Sequence, residues 1–184
     1  MLSFAASATS LHSSSKHQLP ERFRANCAKC SGLCCVVLAL NRSSGFPVEK
    51  PAHSPCLHLK SNFGCAIHAA RDQRGFAGCT QYDCYGAGQW ATQHLYAGKS
   101  WRDLPYVAHE MFECFWRINI LHQLIATIIL IDAGSSDIAL VKKKKELETL
   151  CRLSPEELLS VDMTTIRSNA LRLIRERAVC ANHP

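Results

Sequence analysis

No acidic residue precedes Glu21, and no apolar run approaches the roughly 20 residues that a membrane-spanning helix needs. The best candidate, Ile118–Ile131, is 14 residues long and contains His122 and Gln123, which favours a buried core helix. Residues 1–15 have no basic n-region, and Ser, Thr and His interrupt each apolar stretch, so they do not form a secretory signal. A disordered leader over residues 1–24 is expected. There is no dense Lys/Arg stripe with interleaved aromatics, so a nucleic-acid-binding zinc module is, like an iron–sulfur redox protein or enzyme, an alternative to the first expectation of a structural, sensing or partner-binding metal module. No phosphate-cradling glycine loop, Ser–His–acid pattern or H-E-x-x-H is present, so nothing marks the chain as an enzyme. Gly86-Ala-Gly88 is too short for a phosphate loop and reads as a turn. Internal repeats are also lacking, which leaves solenoid and propeller architectures without support.

The abundant residue is cysteine. Eleven occur in the chain, and eight of them fall between Cys27 and Cys84. Such density implies disulfides or metal, and the lack of a secretory signal favours metal in a reducing, cytoplasmic setting. Net charge is +6, distributed as +5 over residues 1–84, −1 over 85–136 and +2 over 137–184. A basic surplus beside clustered thiols helps to hold them as thiolates, although a solvated basic surface explains it equally.

The cysteines have an ordered spacing. Cys27-Ala-Lys-Cys30 is a C-x2-C, followed by the adjacent pair Cys34-Cys35, then Cys56, Cys65-Ala-Ile-His68, Cys79 and Cys84. A C-x2-C turn brings two thiolates onto one ion, because the backbone folds back over the two intervening residues. Eight thiolates with His68 suffice for two four-ligand sites. Cys34 and Cys35 cannot easily aim both sulfurs at one tetrahedral ion, so they imply two neighbouring sites or one bridging cluster. Zinc is the first expectation and an iron–sulfur cluster the alternative, since both accept four thiolates. His68 lies three residues after Cys65, where ligation and hydrogen bonding to a thiolate are equally compatible with the spacing. His53 and His58 are weaker candidates. Asp72 and Asp83 are expected at the surface, and Cys114, Cys151 and Cys180 as plain buried thiols.

Three regions follow. A small irregular Cys-rich metal-binding domain over 25–100 is expected to pack against a helical bundle over 101–180, after the leader at 1–24, giving a mainly α fold. The first long helix is predicted from about Pro105 to Asp132, with Val107, Met111, Phe115, Ile118, Leu121, Ile125 and Ile128 on its buried stripe and Gly134 as its C-terminal cap. A second is predicted over Ser136–Leu153 with Ser136 as cap, and a third begins at the capping sequence Ser154-Pro155-Glu156-Glu157. Asp162 caps a last helix to about Ala178, with Met163, Ile166, Ala170, Leu173 and Ile174 on one face. Lys142–Lys145 reads as an exposed helix face.

C-A-K-C-S-G-L-C-C, then C-A-I-H, Cys79 and Cys84, resemble the CxxCxxCC family, described as a zinc- or iron-chelating domain. The family often carries Arg-Pro after C-x-I-H, where this chain has Arg71-Asp72. The stretches C-S-G-L-C-C-V-V-L, K-P-A-H-S-P-C-L-H-L, F-G-C-A-I-H, R-G-F-A-G-C-T-Q-Y-D-C-Y-G-A-G-Q and W-R-D-L-P are similar to the N-terminal Cys-rich and helical region of bacterial pentapeptide-repeat proteins. That likeness runs from Cys27 to about Ala178. These 184 residues hold no pentapeptide repeats, so any role seated in a repeat solenoid, such as DNA mimicry, is not carried over. The resemblance implies metal chelation by the cysteines named above and leaves a protein partner and the oligomeric state open.

Overall fold

A single long helix organises the molecule. In the computed structural model, which describes residues 19–132 and 137–181 (side chains to Val179 in the last helix), seven α-helices pack together and no strand occurs among the described residues. They are α1 (Leu33–Val37), α2 (Ala77–Gln81), α3 (Ala87–Trp90), α4 (Ala108–Ile131), α5 (Ile138–Leu150), α6 (Pro155–Ser160) and α7 (Met163–Ala181). Short 3-10 turns fill the Cys-rich segment, and a π-helical turn, Ala91–Leu95, extends α3. The fold is mainly α.

Helix α4 follows the 3-10 turn Pro105–Val107 and contacts α1, α3, α5, α6 and α7. Met111, Phe115, Ile118, Leu121, Ile125 and Ile128 of its predicted stripe are all buried. Each such side chain contributes on the order of 1.5–3 kcal/mol of transfer free energy. Phe112, Cys114, Leu124 and Ala126 are buried too, so neighbours cover more than one side of the helix. By length and composition alone, Pro105–Ile131 is apolar enough to cross a membrane. Its apolarity here matches its central place in the core.

The caps follow local chemistry. Asp137 starts α5, its carboxylate accepting from the N–H groups of Ala139 at 2.8 Å and Leu140 at 3.0 Å. The expected caps Ser136 and Gly134 lie outside the described residues. Ser154 and Glu157 form the predicted capping box on α6, and Asp162 accepts from Thr164 and Thr165 at the start of α7.

Two expected boundaries are not boundaries of packing. Leu19 and Phe23, within the segment expected as a leader, are each only 2% exposed and belong to the central core. Residues 1–18 lie outside the described residues. Leu33, Val36 and Ala87 of the Cys-rich segment share that core with α4, α5 and α6. A segment with so few apolar residues gains most of its burial from the neighbouring helices.

His122 links the core to the Cys-rich segment. It is 2% exposed, its ring meets Phe23 edge-on at 5.0 Å, and its Nδ1 lies 2.8 Å from the Tyr85 carbonyl, one residue after Cys84. Nδ1–H therefore donates to that carbonyl. Burial lowers its pKa from 6.5 to about 4, against the opposing effect of the Tyr85 bond and with Arg22 and His94 adding to the fall. The unfolded chain then binds more protons between those two values. Stability from this group is complete above pH 6.5 and is lost as pH falls toward 4, by roughly 3 kcal/mol. Denaturant unfolding from pH 7.5 to 4 should show a shallower acid loss for His122→Asn than for the parent. Parallel curves for the two proteins would exclude His122 as the titrating group.

Candidate metal centre

The cysteines sit on turns built by local backbone geometry. Cys27 opens the 3-10 turn Cys27–Lys29, and the N–H of Cys30 donates to the Cys27 carbonyl at 3.3 Å, folding the C-x2-C back on itself. Gly32, with φ of +70°, turns the chain into α1, which carries Cys34 and Cys35. Successive residues in a helix point about 100° apart, yet these two side chains bend together, and the Cys34 thiol hydrogen-bonds Cys35. The N–H of Cys56 donates to the Cys35 carbonyl at 2.9 Å, Leu59 and Cys65 form an isolated antiparallel bridge, and α2 carries Cys79. Cys84 precedes Gly86, whose φ of +77° lets the chain enter α3. Of the expected Gly86-Ala-Gly88 turn only Gly86 is in the turn, while Ala87 and Gly88 open α3.

All ten described cysteines are free thiols. Their mutual electrostatics place the eight clustered ones in two overlapping neighbourhoods, between which Cys27 and the Cys34–Cys35 pair are shared. Burial pushes Cys30 up to about 11, and the neighbouring thiols that raise it further are Cys84 and Cys27. Cys34 is raised by its hydrogen bond with Cys35 and by burial, and also feels Cys30 and Cys84. Cys84, raised by burial, feels Cys27 in turn. These four form the first quartet. Burial likewise pushes Cys79 up to about 11, with Cys35, Cys56 and Cys65 acting on it. Cys56, raised by burial, feels Cys35 and Cys65. Those four form the second. The quartets meet at the Cys34–Cys35 hydrogen bond, and Cys27 lies within the field of both Cys35 and Cys65.

Polar groups point at the sulfurs. Backbone N–H groups of Leu33 and Gly32 donate to Cys30, that of His58 to Cys56, and those of Gly88 and Gly86 to Cys84. Such bonds favour the thiolate over the thiol. The Tyr82 hydroxyl is buried without a hydrogen-bond partner, and Cys34, Cys84 and Cys30 are among the groups whose charge bears on it. An orphaned O–H in that position fits an anionic sulfur acceptor. Gly88 touches the first quartet directly, since a Cβ there would lie 2.5 Å from the Cys30 sulfur. Gly88→Ala should therefore displace Cys30 and cost about 1–3 kcal/mol, read as a lower unfolding midpoint and weaker metal retention. Unchanged values of both would show that Cys30 moves aside freely.

Two cations flank the second quartet. Lys50 is only 7% exposed, and its Nζ donates to the carbonyls of Val36 at 3.1 Å, Pro51 at 2.9 Å and Ser54 at 2.7 Å. Its charge opposes the burial-driven rise of Cys56. Cys35 is lowered to about 7, first by the hydrogen bond from Cys34 and then, against burial, by Lys50 and Arg71. Arg71 is anchored by bonds to the carbonyls of His68 at 3.0 Å and Cys79 at 3.0 Å. The spacing analysis did not single out Lys50. A lysine between Glu49 and Pro51 carries no sequence signal that it is buried.

His68 is exposed on the turn His68–Ala70, and its carbonyl, not its ring, joins the network around Arg71. The ring of His58 packs edge-on against Phe76 at 5.1 Å. Asp83 accepts from the N–H of Tyr85 at 2.7 Å. Cys114 and Cys151 are buried thiols as expected, and the Cys180 side chain lies outside the described residues.

A separate cluster has ligand atoms already close together. Potential ligand atoms of His53, His109 and Glu113 all lie within 4.8 Å of one another, a grouping that the thiols do not reach among the described residues. Four sulfurs bound to one zinc at about 2.3 Å would be about 3.8 Å apart, so side-chain rotation is needed to close each quartet. The donor set, the N–H groups aimed at sulfur and the orphaned Tyr82 hydroxyl fit such ions.

The fold and site thus define a mainly α, cysteine-rich protein with a His/Glu cluster suited to metal. The chain is 39% identical over 150 residues to "Uncharacterized protein YybG" of Bacillus subtilis (strain 168), a match covering 78% of this chain and 53% of that protein. It therefore spans about half the length of that relative. No protein-family model matches the chain, and no solved structure matches it.

Proposed function

We propose that this chain is a metal-binding module of the CxxCxxCC type, in which Cys27, Cys30, Cys34 and Cys84 hold one zinc ion and Cys35, Cys56, Cys65 and Cys79 a second. What supports this reading is the gathering of eight free thiols into two overlapping electrostatic neighbourhoods around the adjacent pair Cys34-Cys35. His68 is left outside the ligand set because the eight thiolates already fill two four-ligand sites. Bound zinc would supply folding free energy by cross-linking the short turns of the Cys-rich segment. With all positions filled by thiolate, it would offer no open position to a substrate, so the role is structural, sensing or partner-binding, and not enzymatic. A reducing cytoplasm suits that thiol chemistry. The likeness to the N-terminal region of pentapeptide-repeat proteins adds the reading that the module supports or presents a neighbouring protein segment.

Elemental analysis with an optical spectrum, on protein purified anaerobically, tests this. About two thiolate-bound zinc ions per chain and no colour are expected. Iron with sulfide and broad visible absorption would replace zinc by an iron–sulfur cluster and make electron transfer or sensing the leading role. Absence of metal with oxidised thiols would overturn the proposal.

A further inference from the structure

We infer that His53, His109 and Glu113 form an additional divalent transition-metal site, separate from the cysteines and open to solvent. Their ligand atoms already lie within 4.8 Å of one another, and two of the three are four residues apart on α4, so they share one face of its first turns. The third comes from the loop between Cys35 and Cys56. His53 adopts a left-handed backbone conformation, with φ of +61°, uncommon for a residue other than glycine. Its N–H reaches the Val37 carbonyl at 3.4 Å, which ties this conformation to the end of α1. Its ring stands perpendicular to that of His109, with centroids 5.2 Å apart, and lies 5.4 Å from Phe112. Nε2 of His53 is 3.8 Å from a Glu113 carboxylate oxygen.

An ion pair needs only His53 and Glu113. The convergence of a second imidazole on the same point is what a metal requires and a salt bridge does not. Two imidazoles and one carboxylate suit zinc and its neighbours in the transition series, and leave a fourth position for water or an incoming ligand. Bonds of about 2.0–2.2 Å to one ion would bring the three donors to about 3.4 Å from one another, a contraction within the reach of side-chain rotation. Exposure points the same way, since His109 is exposed and the His53 and Glu113 side chains are 33% and 39% exposed. An ion here would exchange readily with solution and would clamp the loop before Cys56 onto α4. The thiol quartets do not have this donor set.

The test is a cobalt(II) titration of the full chain as purified, followed by visible absorption and equilibrium dialysis. One equivalent is expected to bind with weak d–d absorption and without the intense near-ultraviolet sulfur charge transfer of cobalt thiolates. His53→Ala and Glu113→Gln should each weaken that equivalent by more than about a hundred-fold, above the 10–100-fold typical of losing an outer-shell partner. Their far-ultraviolet circular dichroism and sulfur-bound metal content should match the parent. Absence of the equivalent in the parent, or its retention at parental affinity in both variants, would overturn the site. Sulfur charge transfer reports the quartets independently, so failure of one site is distinguishable from failure of the other.

Discussion

Cys30→Ser should lose about one metal ion per chain and unfold the segment around residues 25–90. Cys30 feels the charges of Cys84 and Cys27, acts in turn on Cys34, and accepts from the Leu33 and Gly32 backbone N–H groups. Structural zinc in small domains contributes apparent binding free energies of about 10–16 kcal/mol, so losing one ligand exceeds the whole margin of a small fold. Because this segment shares its core with α4, α5 and α6, the damage should extend to the helices and lower the overall unfolding midpoint. Cys151→Ser is the matched control. That thiol is buried against Trp90, whose indole N–H donates to its carbonyl at 3.0 Å, and burial pushes it up to about 12. Cys151→Ser should leave metal content unchanged. Full metal content in Cys30→Ser would remove Cys30 from the ligand set, whereas metal loss in Cys151→Ser would show that the bundle supplies a ligand.

Lys50→Met should be the most destabilising change outside the cysteines. The methionine fills much of the same volume but leaves the Val36, Pro51 and Ser54 carbonyls without their donor. Each unsatisfied buried acceptor costs about 1–3 kcal/mol, so a loss of roughly 3 kcal/mol or more is expected by urea denaturation. A second effect follows from charge. A closed four-thiolate zinc site is anionic, and the ammonium lies in the field of Cys56, Cys35, Cys34 and Cys79. The loss should therefore be larger in metal-loaded than in metal-stripped protein. Equal losses would confine Lys50 to tying the three carbonyls together, and an unchanged midpoint would refute both roles.

Local rules located the helices and fixed several ends. Ser154, Pro155 and Glu157 define the start of α6 because a capping box is completed within four residues. The stripe from Met111 to Ile128 was legible for a similar reason, because a helical period repeats over about five turns and needs no knowledge of the partner surface. The C-x2-C and the adjacent Cys34-Cys35 pair were legible as ligand candidates from spacing alone.

Other features had no local signature. The spacing of eight cysteines does not say which four converge, since that depends on how the turns at Gly32 and Gly86 aim distant loops. The sequence did not show that His68, three residues after Cys65, stands on an exposed turn. His53 joins His109 and Glu113 across more than fifty residues, so only their i, i+4 pair on α4 was available to a reader of the chain. Lys50 and Phe23 were hidden because burial is a property of what packs on top. Composition, helical period and caps by themselves determined a mainly α, cysteine-rich protein. Tertiary structure alone decided the buried lysine and the His/Glu cluster, because each depends on contacts between segments far apart in the chain.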